Sequence, residues 1–186
     1  MHSTTPDRAS LARAIAGAAL LRGSFTLRSG KSSSYYLDKY LFSTRPEVLR
    51  PLGVLFAERI RDLEAIFGAR TDRLAGAELG GIPLVTVASL QTGLPSIFVR
   101  TKKKEYGTGK QIEGVLSHRD RIVIVEDVAT TGGAALEAAE ALRGGGGNIV
   151  AIIATIDRQE GARENVEKAG IRFEALFTKR DLGIEE

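Results

Sequence analysis

The feature that most constrains this chain is the segment 122–133, which reads IVIVEDVATTGG. Its first four residues are apolar and β-branched, a run typical of a parallel strand covered on both faces. We expect the two acids that follow, Glu126 and Asp127, at the carboxyl edge of the sheet, where open α/β folds bind ligands. The threonines and glycines after them predict a turn into a helix whose backbone N–H groups bind phosphate. Acids followed by such a turn indicate a sugar phosphate, with the carboxylates facing ribose hydroxyls or a magnesium ion.

Alternating helices and strands predict how the rest of the chain folds. Thr5 and Pro6 can begin a helix that runs to about Leu21, and Thr44 with Glu47 has the pattern of a capping box for a helix that reaches about Phe67. Apolar strands are predicted at residues 74–77, 96–99, 122–125, 149–156 and 172–177. We therefore expect an α/β fold with a central parallel sheet flanked by helices, in a single domain over residues 1–186.

Composition excludes several classes of protein. The chain has no cysteine, so it forms no disulfide and has no thiol nucleophile. No apolar run approaches the length of a membrane span, and residues 11–21 resemble a core-facing helix more than a signal peptide, so we expect a cytoplasmic protein with no membrane contact. The net charge of +3 suits an anionic substrate but not a nucleic-acid surface. His2 and His118 fit no metal-ligand spacing, and the glycines at 144–147 follow a helix and so indicate a terminator.

Residues 100–114 read RTKKKEYGTGKQIEG, and no apolar periodicity appears between Arg100 and Arg121. Such a stretch is too long for an ordinary connection, so we predict a mobile catalytic loop over about residues 100–118. The alternative is a solvated basic loop. A loop that closes over the site and carries cations would exclude water and stabilise an anionic leaving group.

The segment 122–134 resembles the phosphoribosyl pyrophosphate (PRPP) signature of the type I phosphoribosyltransferases, and it lacks the Gly-Lys-Ser/Thr ending of a Walker loop. The loop at 100–114 resembles the catalytic loop of the orotate phosphoribosyltransferases. Arg100, Lys104 and Gly107 match that pattern, whereas Thr101 stands where a lysine is frequent and Tyr106 where a histidine is frequent. Lys102 or Lys103 could supply the missing cation.

Two further segments agree with that family. Residues 25–38, FTLRSGKSSSYYLD, resemble its orotate-site segment, which implies a small amino-terminal hood over about residues 1–45. Residues 74–83, LAGAELGGIP, resemble its pyrophosphate loop, which implies a strained peptide near Leu79 and Gly80. The alternative for the first segment is that its bulky residues are core residues of a short strand. The alternative for the second segment is that its glycines form an ordinary strand-to-helix turn.

Arg158 ends the strand that neighbours the one carrying the two acids, so it should point into the same crevice. A guanidinium matches a carboxylate bidentately, which favours an acidic pyrimidine over a purine. The alternative is a surface ion pair with Asp157 or Glu160.

The resemblance implies transfer of a phosphoribosyl group from PRPP to orotate in pyrimidine synthesis, on a type I phosphoribosyltransferase fold. It implies catalytic roles for Lys104, Glu126 and Asp127. The residues expected to bind PRPP are Arg28, Leu79, Gly80, Arg100, Lys104, Tyr106, Glu126, Asp127, Val128, Ala129, Thr130, Thr131, Gly132, Gly133 and Ala134. Those expected to bind orotate are Tyr36, Thr130 and Arg158, and Lys39 is a further candidate.

The resemblance also implies Mg²⁺ held mainly through PRPP and pyrophosphate oxygens, with no metal caged by protein side chains. It implies a homodimer in which the catalytic loop is shared across the interface. Two alternatives are a purine phosphoribosyltransferase and a non-enzymatic regulator that senses nucleotides. A regulator needs PRPP affinity but no closing cationic loop, and the chain shows no added nucleic-acid-binding surface.

Overall fold

The computed structural model describes residues 7–26, 30, 32–101 and 111–185. The helices are α1 (Arg8–Ala19), α2 (Lys39–Ser43), α3 (Pro46–Phe67), α4 (Gly81–Thr92), α5 (Gly133–Gly144) and α6 (Ala162–Lys168), with a short 3₁₀ helix at Arg180–Leu182. The strands are β1 (Leu20–Thr26), β2 (Ser32–Leu37), β3 (Arg73–Ala77), β4 (Ser96–Val99), β5 (Ile112–Glu113), β6 (Arg121–Ala129), β7 (Asn148–Asp157) and β8 (Arg172–Thr178).

Six strands form the central sheet in the order β5-β4-β3-β6-β7-β8. All neighbouring pairs are parallel except β4 and β5. The predicted parallel sheet is therefore confirmed, with one short antiparallel strand added at its edge. Parallel strands need helical crossovers, and these place helices on both faces of the sheet.

The β-branched run of β6 is buried on both faces, as its composition predicts. Val123 and Val125 pack in a core that includes residues of α1, α3 and α4, whereas Ile122 and Ile124 pack against residues of α5 and α6 on the opposite face. Because these side chains alternate between two hydrophobic layers, neither face of β6 contacts solvent at this point. Packing on both faces thus fixes the position of the carboxyl end of β6 within the sheet.

The strand that carries the two acids is longer than predicted. We expected an apolar strand that ends at Val125, but β6 continues to Ala129. Glu126 pairs with Ala154 of β7, and Ala129 pairs with Asp157. The carboxylates therefore lie inside a paired strand, because backbone pairing does not depend on side-chain polarity.

The amino-terminal unit is a β1–β2 antiparallel hairpin together with α1 and α2, as the predicted hood requires. It is not a separate core, since Tyr35, Leu37 and Phe42 belong to the same hydrophobic cluster as the helices on that face of the main sheet. The backbone N–H of Asp38 donates to the carbonyl of Ala19 at 2.9 Å, which joins the start of α2 to the end of α1.

Both predicted helix starts differ from the observed ones. The N-cap of α1 is Asp7, whose carboxylate accepts from the N–H groups of Ala9 and Ser10. The predicted capping box of α3 is wrong, because the helix begins at Pro46 after Arg45. The hydroxyl of Thr44 instead donates to the carbonyl of Tyr40, in the turn that ends α2.

The predicted catalytic loop, about residues 100–118, includes one short strand. Within residues 100–118, β5 pairs with β4 through Phe98 and Glu113 and through Val99 and Ile112. Residues 102–110 lie outside the described part of the chain. Among the helices that the structure does describe, none combines the length and apolar character needed to span a membrane.

Gly76 in β3 allows the sheet and α4 to approach closely. A Cβ at this position would lie 2.6 Å from the Gly81 carbonyl oxygen and 2.7 Å from a methyl carbon of Val85. We expect Gly76→Ala to lower the free energy of unfolding by about 1–3 kcal/mol, because the added methyl overpacks this contact. Chemical denaturation measures the change.

Gly17→Ala is the matched control, since Gly17 lies in α1 with no atom within 4 Å of the added Cβ. The free energy of unfolding of this variant should rise by up to about 1 kcal/mol, because alanine reduces the backbone entropy of the unfolded chain. Equal effects of the two substitutions would contradict the close contact at Gly76.

Candidate active site

The phosphate-binding turn begins where β6 ends and α5 starts. Gly132 caps α5 with a left-handed φ of 79°, a conformation that glycine adopts without steric cost. A Cβ there would lie 3.0 Å from a methyl carbon of Val166. The side-chain amide of Asn165 donates to the Thr131 carbonyl at 2.9 Å. Helix α6 thus supports the turn from behind, while the N–H groups of the first turn of α5 lack partners within the helix and can bind an anion.

Glu126 and Asp127 lie next to this turn and are 7% and 1% exposed. The N–H of Asp127 donates to Glu126 Oε1 at 3.2 Å, and the N–H of Val128 donates to Asp127 Oδ1 at 2.6 Å. Lys39 Nζ lies 2.8 Å from Asp127 Oδ2. The structure therefore brings the predicted acids together with Lys39, which the sequence marked only as a further candidate.

Charge at this acidic pair is unevenly distributed. Burial, and then the charge of Asp127 together with a hydrogen bond to it, raise the pKa of Glu126 to about 8. Lys39 is also partly buried, which opposes its charge, but attraction to Asp127 and Glu126 outweighs this and raises its pKa. A protonated Glu126 can donate a hydrogen bond to a hydroxyl group, and the carboxylate oxygens of the pair can accept one.

The predicted pyrophosphate loop touches the same carboxylate. It connects β3 to α4, and its Glu78–Leu79 peptide bond is cis. A Cβ on Gly80 would lie 1.6 Å from Asp127 Oδ2. The loop can therefore occupy this position only because residue 80 has no side chain. Leu79 is 64% exposed and presents its backbone at the surface of the site.

The stem of the predicted catalytic loop is tied to the pyrophosphate loop. Glu78 Oε1 accepts from the N–H of Thr101 at 2.8 Å, and Glu78 Oε2 lies 3.8 Å from Arg100 Nη1. Arg100 Nε donates to Glu113 Oε1 at 2.8 Å, and its backbone N–H donates to the Gln111 carbonyl. Two carboxylates thus hold the Arg100 guanidinium at the base of the loop.

Arg158 follows β7 and lies beside the phosphate turn, because its N–H donates to the Ala129 carbonyl at 2.9 Å. Its Nη2 donates to the Tyr35 hydroxyl at 3.0 Å and pairs with Glu160 at 2.9 Å. Its Nε is buried and has no hydrogen-bond partner among the residues that the structure describes. The pair with Glu160 was one alternative raised by the sequence, but the buried Nε leaves a donor for an anionic ligand.

The two tyrosines of β2 point to opposite faces of the hairpin, because side chains alternate along a strand. Tyr35 is buried, and its ring lies 5.3 Å from the Arg158 guanidinium. Tyr36 is 45% exposed and its ring lies 5.7 Å from that of Phe25. The aromatic residue that meets Arg158 is therefore Tyr35 and not Tyr36, and sequence reasoning missed it because the strand register was not known.

Three predicted site residues, Arg28, Lys104 and Tyr106, lie outside the described residues, as do Lys102 and Lys103. In the ranges 7–26, 30, 32–101 and 111–185, no group of three or more His, Cys, Asp or Glu side chains could hold a metal ion. Glu126 and Asp127 are the acids that directly precede the phosphate turn in the chain. Two carboxylates suit an ion that takes its other ligands from a substrate and from water.

Known proteins are similar to this chain in sequence and in fold. The family model of the phosphoribosyl transferase domain matches residues 44–175. The orotate phosphoribosyltransferase of Pyrococcus horikoshii is 44% identical over 160 residues, which are 86% of this chain and 84% of that protein. The orotate phosphoribosyltransferase of Halobacterium salinarum is 41% identical over 97% of both chains. The crystal structure of Mycobacterium tuberculosis orotate phosphoribosyltransferase in complex with PRPP has a TM-score of 0.78 at 31% identity, and covers 96% of this chain and 100% of its own.

The raised pKa of Glu126 leads to a prediction about how the free energy of unfolding depends on pH. Its pKa rises from 4.5 to about 8 on folding, so the folded protein binds the extra proton between these values. The resulting stability is fully present below the lower value and is lost as pH rises through the upper one. Between about pH 5.5 and 8.5, wild type should lose at least about 1 kcal/mol of unfolding free energy relative to Glu126→Gln.

Urea denaturation at both pH values measures this difference. Glu140→Gln on the exposed face of α5 is the control, and it should follow the wild-type pH dependence. If Glu126→Gln follows the wild type as closely as Glu140→Gln does, Glu126 does not carry the extra proton.

Proposed function

This chain belongs to the orotate phosphoribosyltransferases of the type I phosphoribosyltransferase family, and we propose here how its residues divide the reaction among them. The enzyme transfers the 5-phosphoribosyl group of PRPP to orotate, giving orotidine 5'-monophosphate and pyrophosphate in pyrimidine nucleotide synthesis. The bond from the anomeric carbon to the pyrophosphate oxygen breaks, a bond from that carbon to a ring nitrogen of orotate forms, and the proton of that nitrogen is released to pyrophosphate or water.

The phosphate turn holds the 5'-phosphate of PRPP in this proposal. The support is the unpartnered N–H groups at the start of α5, the left-handed Gly132 and the hydroxyls of Thr130 and Thr131. The residues that contribute are Val128, Ala129, Thr130, Thr131, Gly132, Gly133 and Ala134. Anchoring the phosphate at this end of the sugar fixes the distance to the anomeric carbon at the other.

Glu126 and Asp127 bind the ribose hydroxyls. Both are buried, both directly precede the phosphate turn in the chain, and the pKa of Glu126 is raised. The Asp127 side chain can accept a hydrogen bond from a hydroxyl, and a protonated Glu126 can donate one. Fixed carboxylate charge near the ring also favours the positive charge that grows on the sugar as pyrophosphate leaves.

Pyrophosphate is bound by the backbone at Leu79 and Gly80 together with Arg100. The contact between Gly80 and Asp127 supports this, because it places the pyrophosphate loop directly beside the ribose acids. Lys104 and Tyr106 are assigned to the leaving group, and Arg28 to PRPP, from the family pattern of the sequence. A cation that reaches the departing oxygens lowers the barrier without any nucleophilic side chain.

Arg158 binds the carboxylate of orotate, and the observation that carries this assignment is its buried Nε, which lacks a partner in the described part of the chain. Tyr35 holds the same guanidinium from the hood and so orients it. Thr130 lies on the neighbouring turn and is assigned to the pyrimidine. The contact of Tyr36 with the pyrimidine ring stays a prediction; Tyr36 is exposed beside Phe25.

Mg²⁺ fits this site when PRPP supplies most of its ligands, and Glu126 and Asp127 are the residues of the chain that would contribute oxygens to it. When bound, the ion would neutralise pyrophosphate oxygens and so assist their departure. The chain's own residues have the separate task of orienting PRPP and orotate. In binding experiments, PRPP should require a divalent cation and orotidine 5'-monophosphate should not. This result would support coordination of the ion through the pyrophosphate.

We also propose a cytoplasmic homodimer whose catalytic loop reaches the partner's active site. Orotate and PRPP are anions that do not cross membranes unaided, so the enzyme must lie where they are made. Leu79 and Leu90 are 64% and 77% exposed, near the two ends of α4, and such apolar side chains suit an interface beside the site.

The assignment to orotate is tested by mixing the purified protein with PRPP, magnesium and one base at a time. Loss of the near-ultraviolet absorbance of orotate, with no turnover of adenine, guanine or uracil, is the expected result. Arg158→Lys should raise the KM for orotate by about 10–100-fold, because lysine cannot form the paired hydrogen bonds of a guanidinium, while the KM for PRPP stays within about threefold. Turnover of a purine would favour the purine enzyme, and PRPP binding without turnover of any base would favour a regulator.

Lys104→Ala should reduce kcat by orders of magnitude with a smaller effect on PRPP binding, since its charge is needed as pyrophosphate leaves. If the loop serves the partner's site, Lys104→Ala and Arg158→Ala subunits fail separately but complement each other. Mixed dimers that pair the two variants contain one intact site, so an equal mixture should recover about a quarter of wild-type activity. If subunit exchange is verified and no activity is recovered, the loop serves the site of its own subunit.

A further inference from the structure

Asp127 is held from two directions by parts of the chain that lie far apart in sequence. Its side chain is 1% exposed, its Oδ1 accepts from the N–H of Val128 at 2.6 Å, and its Oδ2 lies 2.8 Å from Lys39 Nζ. The first contact comes from its own strand, and the second comes from the hood. Together they fix both oxygens of the carboxylate.

Lys39 is itself well placed by local structure. It is the first residue of α2, whose N-cap Asp38 accepts from the N–H of Tyr40 at 3.1 Å. The backbone of Asp38 is tied to the end of α1, so the start of α2 cannot shift independently of the hood. The ammonium also lies 5.6 Å from the centre of the Tyr40 ring. The lysine side chain therefore extends from a fixed backbone to Asp127.

Gly80 also lies against the Asp127 carboxylate, at the same oxygen that Lys39 contacts. Since a Cβ at residue 80 would lie 1.6 Å from Oδ2, the carboxylate fills the space that a side chain would need. The carboxylate thus contacts both a cation of the hood and the pyrophosphate loop. Its position depends on both.

We propose that Lys39 is a positioning residue for phosphoribosyl transfer, holding the Asp127 carboxylate oriented toward the ribose hydroxyls. This inference rests on the proposed role of Asp127 in binding the ribose. Without the ammonium, the buried carboxylate would lose its ion pair and would be free to rotate away from the ribose. Lys39 therefore makes the hood part of the PRPP site as well as of the orotate site.

The proposal differs from two simpler roles for Lys39. A lysine that only stabilises the hood would affect folding but not the kinetic role of Asp127. A lysine that contacts PRPP or pyrophosphate directly would lose its own binding energy whether or not Asp127 is charged. A double-mutant cycle separates these cases, because a residue that acts through Asp127 has little effect once Asp127 has lost its charge.

The experiment measures kcat and KM for PRPP and for orotate with wild type, Lys39→Met, Asp127→Asn and the double variant. Lys39→Met should lower kcat/KM for PRPP by about 10–100-fold and change the KM for orotate by less than about threefold. In the Asp127→Asn background the same substitution should cost less than about threefold. Lys39→Arg should recover most of the activity, because it restores a cation at the same place.

Lys168→Met is the matched control, since this lysine is exposed at the end of α6, away from the acids, and it should leave all constants unchanged. Thermal unfolding of each variant shows whether it is folded, and Lys39→Gln replaces Lys39→Met if the latter does not fold. The proposal is overturned if the effects of the Lys39 and Asp127 substitutions on kcat/KM multiply in the double variant. It is also overturned if Lys39→Arg fails to restore activity. Absence of orotate turnover by the wild type would instead refute the proposed function, so the two failures are distinguishable.

Discussion

Burying Glu126 and Asp127 side by side at the end of the central strand is the most demanding feature of this structure. Removing one carboxylate from water costs several kcal/mol, and two adjacent carboxylates also repel each other. The surrounding structure reduces this cost in three ways. Backbone N–H groups of β6 donate to both side chains, Glu126 takes up a proton more readily than a free glutamate, and Lys39 supplies a positive charge.

These compensations explain why the active site draws on so many parts of the chain. The hood contributes Lys39 to Asp127 and Tyr35 to Arg158, so two polar contacts join it to the crevice. The pyrophosphate loop contributes the space at Gly80, and Glu78 of the same loop binds the stem at Thr101. Each element is secured to a neighbour that binds a different portion of the substrates. Productive geometry therefore depends on all of them being in place together.

Sequence patterns were sufficient for the parts of the fold that depend on local chemistry. The β-branched run of β6 indicated a strand covered on both faces, and the threonine–glycine segment indicated the turn before α5. Patterns failed where tertiary pairing decided the outcome. The extension of β6 through its acids depends on pairing with β7, and polar residues at 126 and 127 gave no sign of it.

Tertiary contacts that the sequence does not reveal also decided a helix start and the arrangement of the site. The capping box at Thr44 was wrong because Pro46 begins the helix one residue later and the threonine hydroxyl binds the preceding turn. Tyr35 and Tyr36 are chemically equivalent in the sequence, so only the register of the hairpin distinguishes the one that meets Arg158. The roles of Lys39 and Gly80 depend on distances between segments that are remote in the chain, and no local pattern reports such distances.

The contact between Gly76 and Gly81 has a consequence for how the pyrophosphate loop can vary. Backbone atoms of β3, β6 and α4 approach one another closely there, so main-chain packing helps to set the position of the loop relative to the sheet. The side chain of Leu79 is exposed and is not among the atoms of this contact. Substitutions at position 79 can therefore alter the chemistry presented to a ligand or to a neighbouring subunit while the loop backbone keeps its place. This separates the residues that are free to diverge from those that maintain the geometry of catalysis.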